Sequence, residues 1–459
     1  MRESRRRVLS WTMAIAAVPF VFGDGWTHLA RSPARDAVTY GAPRNLNNLA
    51  WVFRLGLDDE FVGPSSPVVA DGRVFANVRH FENNLQTSNR LVAVDALAGS
   101  ERWSVPIELD ALDSWSSPAV DVRNGTVLIG SGSTLHALDT STGRERWQTR
   151  LLPGRLVVNA SPLVTSNLVT NGTPSNRVFI TDFGTQSATL YAINVDPRDE
   201  TNNPHDPGEI VWTAPLGGAS GASPAYQGGR VYVTTVSGEV QAFNARANGA
   251  PLWTFRAAAA GFFGGVSIRG AFVYAATYEF NGGENNSRLY KIAANSGELA
   301  WEIPCERTSS IPVIVGDRTI YLSGGVHGFG SAVKIQAFAD HGERAELLWD
   351  THADTGGALV IGGWSHQPAF SCGMLYAGTL PTEPGFTAYR DLRILDVSLP
   401  PTDPGFVVAF DPDAGGSPAL ASNRIYSIGP NGLFSFAGLG LTCAPPDEVS
   451  EPTITAGRE

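Results

Sequence analysis

The chain has 459 residues, 50 of them glycine and 30 proline, with a formal net charge of −11. An acidic chain without a basic stripe is a poor binder of nucleic acid or of an anionic membrane surface, because both need clustered lysine and arginine. Short apolar runs lie between Gly, Pro, Asn, Asp and Ser clusters and no long charged helical pattern appears, which reads as all-β. The length would allow two or three domains, and a repeat array explains it equally well.

In chain order, "SRRRVLS" (Ser4–Ser10) precedes "WTMAIAAVPFVFG" (Trp11–Gly23). A basic region followed by an apolar run too short to span a bilayer reads as a signal peptide over residues 1–23. The arginine pair followed by Val8 and Leu9 is similar to the bacterial twin-arginine export signal, although Ser10 stands where lysine is common and no A-x-A box precedes Gly23. The expectation is an exported protein, periplasmic or extracellular; an uncleaved anchor is the other reading. Residues 24–48 are a lead segment, and "LAWVFRLG" (49–56) is an orphan strand carrying Trp51.

From there the chain repeats. "LVAVDALAGSERW" (91–103), "LHALDTSTGRERW" (135–147), "VQAFNARANGAPLW" (240–253) and "LYKIAANSGELAW" (289–301) are copies of one strand–turn–strand unit. Looser versions end at Trp212 and Trp349. Upstream of each ending stands a Ser-Pro or a variant, a short run, a turn and another strand, as in "SSPVVADGRVFANV" (65–78) and "ASPAYQGGRVYVTT" (222–235). Eight such units, spaced by roughly 40–60 residues, predict an eight-bladed β-propeller of four-stranded antiparallel blades over residues 49–440. Proline suits the first residue of an inner strand, where no ladder donor is needed. The eighth unit lacks its tryptophan strand, so the orphan strand with Trp51 is expected to complete it and close the ring. Trp51, Trp103, Trp147, Trp212, Trp253, Trp301 and Trp349 are expected to dock on neighbouring blades, and residues 441–459 to be a disordered acidic tail.

"ALDTSTGRERW" resembles the pyrroloquinoline-quinone-type (PQQ-like) propeller repeat with its tryptophan-docking turn, over roughly residues 40–440. "GWTHLARSPARDAVTY" (25–40) is similar to the Trp-led segment that precedes the first blade in that family. The resemblance implies a fold, not a function, because function lives in sites grafted onto folds. It points two ways: to quinone-dependent alcohol or sugar dehydrogenases, with PQQ and Ca2+ over the central channel, and to the periplasmic propeller of the outer-membrane β-barrel assembly machine, which binds proteins. The vicinal cysteine pair usual in the dehydrogenases is missing, and no residue here can be matched to their metal ligands or base.

Strand order puts the strand-two-to-three connections and the blade-to-blade connections on one face. The inserts 79–89, 279–287, 324–332 and 380–405 are expected there, the last as a separate lid or binding loop. The residues just before the inner strands should line the channel mouth on this face: Trp115, Asn159, Phe262, Phe263, Arg307, Trp364 and His366. Aromatic and polar groups around a funnel make a ligand or peptide platform, with aromatics and arginine as anchors; the alternative is that they only pack under loops. Asp196, Asp199, Glu200 and Asp206 fall on the opposite face without EF-hand spacing, which favours a solvated loop over a Ca2+ site. No hydrolase, zinc or phosphate-loop signature is present, so no catalytic residue and no metal ligand is assigned.

Of three cysteines, Cys372 and Cys443 end on the same face of adjacent blades, which allows a disulfide and would suit an oxidising compartment. Three free or buried thiols are the other reading. Taken together, the expectation is a monomeric, exported, non-enzymatic propeller that binds a protein or peptide. A quinone-dependent dehydrogenase using PQQ and Ca2+ is the alternative.

Overall fold

Eight short apolar runs that follow Ser-Pro or its variants become the innermost strands of eight antiparallel sheets, from Val68–Ala70 in blade one to Ala419–Ala421 in blade eight. A computed structural model describes residues 25–443 apart from 110–112, 185, 247, 259, 317, 381–388, 431 and 439–440. The 1–23 leader and most of the 441–459 tail lie outside the described residues. Within a blade the strands follow one another outward, as in Ala119–Asp121, Thr126–Ser131, Thr134–Asp139 and Glu145–Arg150 of blade two. Among the described residues there is no helix, and therefore none long and apolar enough to cross a membrane. Blade eight takes its outermost strand from the start of the chain: Leu49–Phe53 pairs antiparallel with Gly432–Ala437. The ring is thus an eight-bladed propeller closed by an N-terminal strand.

The tryptophans join the blades. The outer strand pair of each blade carries a β-bulge beside the position opposite the tryptophan, as at Ala137–Trp147 and Ala93–Trp103. The indole N–H groups of Trp51, Trp103 and Trp253 donate to the backbone carbonyls of Ala96, Thr140 and Ala294 in the following blade, at 3.0–3.2 Å. The Trp301 indole donates to the Asp340 carboxylate at 3.0 Å. Each ring of the first set lies on a turn glycine of that blade. At Gly143 the backbone has φ +70°, and a Cβ would sit 2.7 Å from the Trp103 ring. Blade seven has Ala409 at the tryptophan position, opposite Ile394; at the preceding interface Trp349 of blade six packs edge-on against Phe406 of blade seven.

Two of the expected inserts are not loops. Residues 79–89 belong to a long hairpin, Arg73–Glu82 with Leu85–Asp95, whose extension is covered by an extra strand, Asp59–Phe61. Alternating polar and apolar residues continue the ladder beyond the blade. The stretch 380–405 is not one insert either. Leu392–Asp396 within it is the third strand of blade seven, so residues 397–405 form the turn on the opposite face. The blade's missing tryptophan hid that strand.

The lead segment runs through the channel. Trp26 pairs with Val69, Thr27 O accepts from Val120, Pro33 O from Tyr226, Ala34 O from Ile268 and Ala37 O from Phe370. In each case the partner is the second residue of an innermost strand. Val38–Thr39 then runs parallel to Ala369–Ser371, and Gly41–Ala42 pairs with Leu441–Thr442, within the expected tail. Ala30, Arg31, Arg35 and Ala37 all have positive φ, a concentration of strain held in place by the surrounding ring. Just past this pairing, Cys372 and Cys443 form a disulfide, with Cα atoms 5.6 Å apart, while Cys305 is a buried free thiol.

Two outcomes follow from these contacts. Gly143→Ala should destabilise the protein by about 1–3 kcal/mol more than Gly172→Ala. Both glycines have positive φ, but nothing lies within 4 Å of a Cβ at Gly172, so the difference isolates the Trp103 contact. Equal thermal shifts would refute the role of that contact. Cys443→Ser, or reduction, should cost roughly 2–4 kcal/mol, because the bond closes a 71-residue separation; an unchanged urea midpoint would contradict it.

Candidate functional site

In six of the eight blades the approach to the inner strand carries a polar residue before proline, and these form a belt: Ser66, Ser117, Ser161, Ser223, Gln367 and Ser417. The Ser66 amide donates to Ser117 Oγ at 2.8 Å, the Ser117 amide to Ser161 Oγ and the Ser161 amide to Ser223 Oγ, both at 2.9 Å. On the far side the Ile311 amide donates to Gln367 Oε1 and the Gln367 amide to Ser417 Oγ. Ser66 Oγ joins blade one to blade eight by donating to Ser417 O at 3.3 Å. The recurrent serine of Ser-Pro is therefore a blade-to-blade connector. The pattern is visible in the sequence, where only the proline had an assigned role.

Above the belt, on the face of the strand-two-to-three connections, is a funnel with a cavity of about 60 Å3. Of the residues named from the sequence, Trp115, Asn159, Phe263 and Trp364 line it, together with Ser117, Ser161, Ser223, Gly265 and Ile311. The rings form a chain across the axis: Phe280 to Phe263 at 5.1 Å, Phe263 to Tyr278 at 5.6 Å, Tyr278 to Trp364 at 5.5 Å and Trp364 to Trp115 at 6.2 Å. Offset and edge-on arrangements of this kind each add about 0.5–1.5 kcal/mol beyond burial. Tyr278 lies a full hairpin after its inner strand, so no sequence signal singles it out.

Buried polar groups hold these rings. Arg79 of the long hairpin reaches Asp113 at 2.8 Å, and the same carboxylate oxygen accepts the Trp115 indole N–H at 3.0 Å. The Trp364 carbonyl accepts from the Ser309 amide and hydroxyl at 2.8 and 2.9 Å. Arg307, fully buried, does not line the funnel. Its guanidinium donates to the carbonyls of Phe280, Gly282 and Gly283, at 2.9–3.0 Å, and so fixes the loop that presents Phe280. Phe262 packs between blades four and five against Tyr290, and is also outside the funnel.

His366 lies behind the funnel wall, edge-on to Tyr389 with centroids 5.5 Å apart. Neither ring nitrogen has a hydrogen bond of normal geometry. Burial lowers its pKa to about 4, and a weak approach by the Gly415 backbone offsets only part of this. On the opposite face Asp196 is buried and accepts from the Asn176 amide and side chain, while Asp199 caps its own loop at Asn202. Among the described residues no three His, Cys, Asp or Glu side chains are grouped to hold a metal ion.

Beneath the funnel floor is Arg35, wholly buried. It donates to the carbonyls of Leu29, Ser161, Pro162 and Pro224 at 2.9–3.2 Å. No carboxylate among the described residues lies within ion-pair distance of it. Burial lowers its pKa to about 9, which leaves it a cation at neutral pH. His28 beside it is kept neutral by burial and by that charge, and its Nε2 accepts the Val164 amide at 3.0 Å.

The profile of the family described as outer membrane protein assembly factor BamB matches residues 46–201, 204–261 and 236–416. No curated protein matches the sequence. Among solved structures, the quinohemoprotein alcohol dehydrogenase of Comamonas testosteroni is similar, with TM-score 0.62 and 13% identity over 93% of this chain and 82% of that one. The quinohemoprotein alcohol dehydrogenase ADHIIG of Pseudomonas putida HK5 has TM-score 0.59 and 13% identity over 94% and 82%. Chaetomium thermophilum Sqt1 also has TM-score 0.59, with 10% identity over 85% and 98%. Proteins of such different names align about equally well, so the likeness speaks for the fold alone.

A neutral buried histidine binds fewer protons folded than unfolded between its folded value of about 4 and the ordinary 6.5. Stability should therefore fall as pH drops through that window, with His366 contributing on the order of 2–3 kcal/mol. His366→Phe should lose correspondingly less stability between pH 6.5 and 4 in urea unfolding; parallel profiles for variant and wild type would contradict this.

Proposed function

This chain belongs to the family of outer membrane protein assembly factor BamB, and from that premise we propose that it is a non-enzymatic propeller scaffold that binds a protein or peptide through its loop-decorated face. The observation that carries the reading is the aromatic chain from Phe280 to Trp115. Its inner members are packed, with Trp115 braced through Asp113 by buried Arg79, while its outer end, Phe280, on the loop held by Arg307, is 59% exposed. A rigid aromatic anchor with an exposed end is the usual centre of a protein interface. Leu85, at the tip of the blade-one hairpin, adds a second exposed apolar group.

The quinone reading fits less well. The funnel holds about 60 Å3, against roughly 300–1,000 Å3 for pockets that enclose a small-molecule ligand. Three buried or half-buried carboxylates near this face are already engaged: Asp113 by Arg79, Glu306 by Lys334 and Asp391 by Arg393. The residues present therefore suit neither a tricyclic quinone nor its Ca2+. Export completes the reading: the leader resembles a signal peptide, and a disulfide persists best in an oxidising compartment.

A photo-crosslinking residue placed at Phe280 or Leu85 should give a discrete adduct in cells, lost when Trp364→Ala is added. The same group at Leu97, on the opposite face, should give none. Equal adducts from both faces, or dye-linked oxidation of alcohols or sugars after adding PQQ and Ca2+, would overturn the proposal.

A further inference from the structure

The serine belt is incomplete, and the gap opens into the funnel. By the rule of the other blades, the Ser223 amide should donate to the side chain at position 265 and the Gly265 amide to the side chain at position 311. Gly265 has no side chain and Ile311 has an apolar one. Neither amide has an acceptor among the described residues, which is rare for buried backbone donors. Both residues line the cavity.

The hydroxyls point to the same need. Ser117, Ser161 and Ser223 are each at least nine-tenths buried, and each oxygen already accepts an amide from the preceding blade. Their protons have no acceptor among the described residues. Five donors thus belong to residues that line one small space. No aspartate or glutamate lines it, and the Arg35 cation lies below, bonded to the carbonyls of two lining residues, Leu29 and Ser161. Donors and positive charge without a carboxylate select a negative guest, since hydrogen bonds to an ionised acceptor are roughly twice as strong as neutral ones. The volume suits a group of a few atoms.

We propose that the floor of the funnel is a carboxylate-binding site, formed by the Ser117, Ser161 and Ser223 hydroxyls and the Ser223 and Gly265 amides. At the rim, Asn159 Oδ1 and Ser365 Oγ have no partner. An acceptor in that place suits the last amide N–H of a peptide whose terminal carboxylate occupies the floor; a free carboxylate satisfies the floor alone.

The test uses the whole protein and sodium acetate in chloride-free buffer, followed by titration calorimetry. Saturable 1:1 binding is expected. Ser161→Ala and Ser223→Ala should each weaken it about tenfold or more, the loss of one hydrogen bond to a charged group. Ser417→Ala removes an equivalent belt bond from a residue that does not line the cavity, and should leave acetate affinity unchanged. A peptide with a free C-terminus that displaces acetate, where its amidated form does not, assigns the carboxylate to a bound chain; acetate binding without displacement assigns it to a free anion. Absence of saturable binding, with water alone in the cavity, overturns the proposal, as does an equal effect of Ser161→Ala and Ser417→Ala. No partner protein is needed, so the outcome is independent of the scaffold reading.

Discussion

Eight innermost strands each turn an unpaired backbone edge toward one axis, and a buried amide left without an acceptor costs about 1–3 kcal/mol. The centre of the molecule is organised around that constraint. Lower in the channel, the lead segment supplies acceptors to the second residue of the inner strands in blades one, two, four, five and seven. Higher up, the residues before proline bond blade to blade. The strained conformations of Ala30, Arg31, Arg35 and Ala37 are what such a winding path demands, since one short segment must meet strands that radiate in different directions.

The two solutions meet at Arg35. Its guanidinium spends its donors on carbonyls of the lead segment and of blades three and four, tying the plug to the belt without a carboxylate. The central floor is therefore rich in donors and positive, and its surplus is greatest where Gly265 and Ile311 interrupt the belt. The outer ring is governed differently. There, large apolar rings on turn glycines carry the contact, and polar atoms only orient it. Blade seven has Ala409 in place of a tryptophan facing blade eight, while at the preceding interface Trp349 of blade six meets an aromatic, Phe406 of blade seven.

Much of this was legible beforehand because a repeat states its rule several times. The tryptophan turn and the Ser-Pro start located the blades, and the deficits at the two ends located the closing strand. Where a copy is weak the rule goes silent for the same reason: without its tryptophan, the third strand of blade seven reads as part of a 380–405 loop. At the funnel, Trp115, Asn159, Phe263 and Trp364 could be placed because position relative to the inner strand sets the approach to the axis. Phe262 is the neighbour of Phe263, and alternation turns it into the blade interface. Arg307 and His366 share the right position but point into the wall, where loop carbonyls and Tyr389 receive them.

By itself the sequence determined the ring: periodic turns, tryptophans and Ser-Pro starts admit one architecture, since each blade must bury its faces against the next. The path of the lead segment, the bracing of Trp115 through Asp113, the reach of Arg35 across blades three and four, and the gap in the belt were decided only in three dimensions. These join residues far apart in the chain, such as Arg35 and Pro224, whose meeting depends on the closed circle rather than on any local pattern. The Cys372–Cys443 bond belongs to both: the strand order allowed it, and the paired ends of the chain brought the sulfurs together.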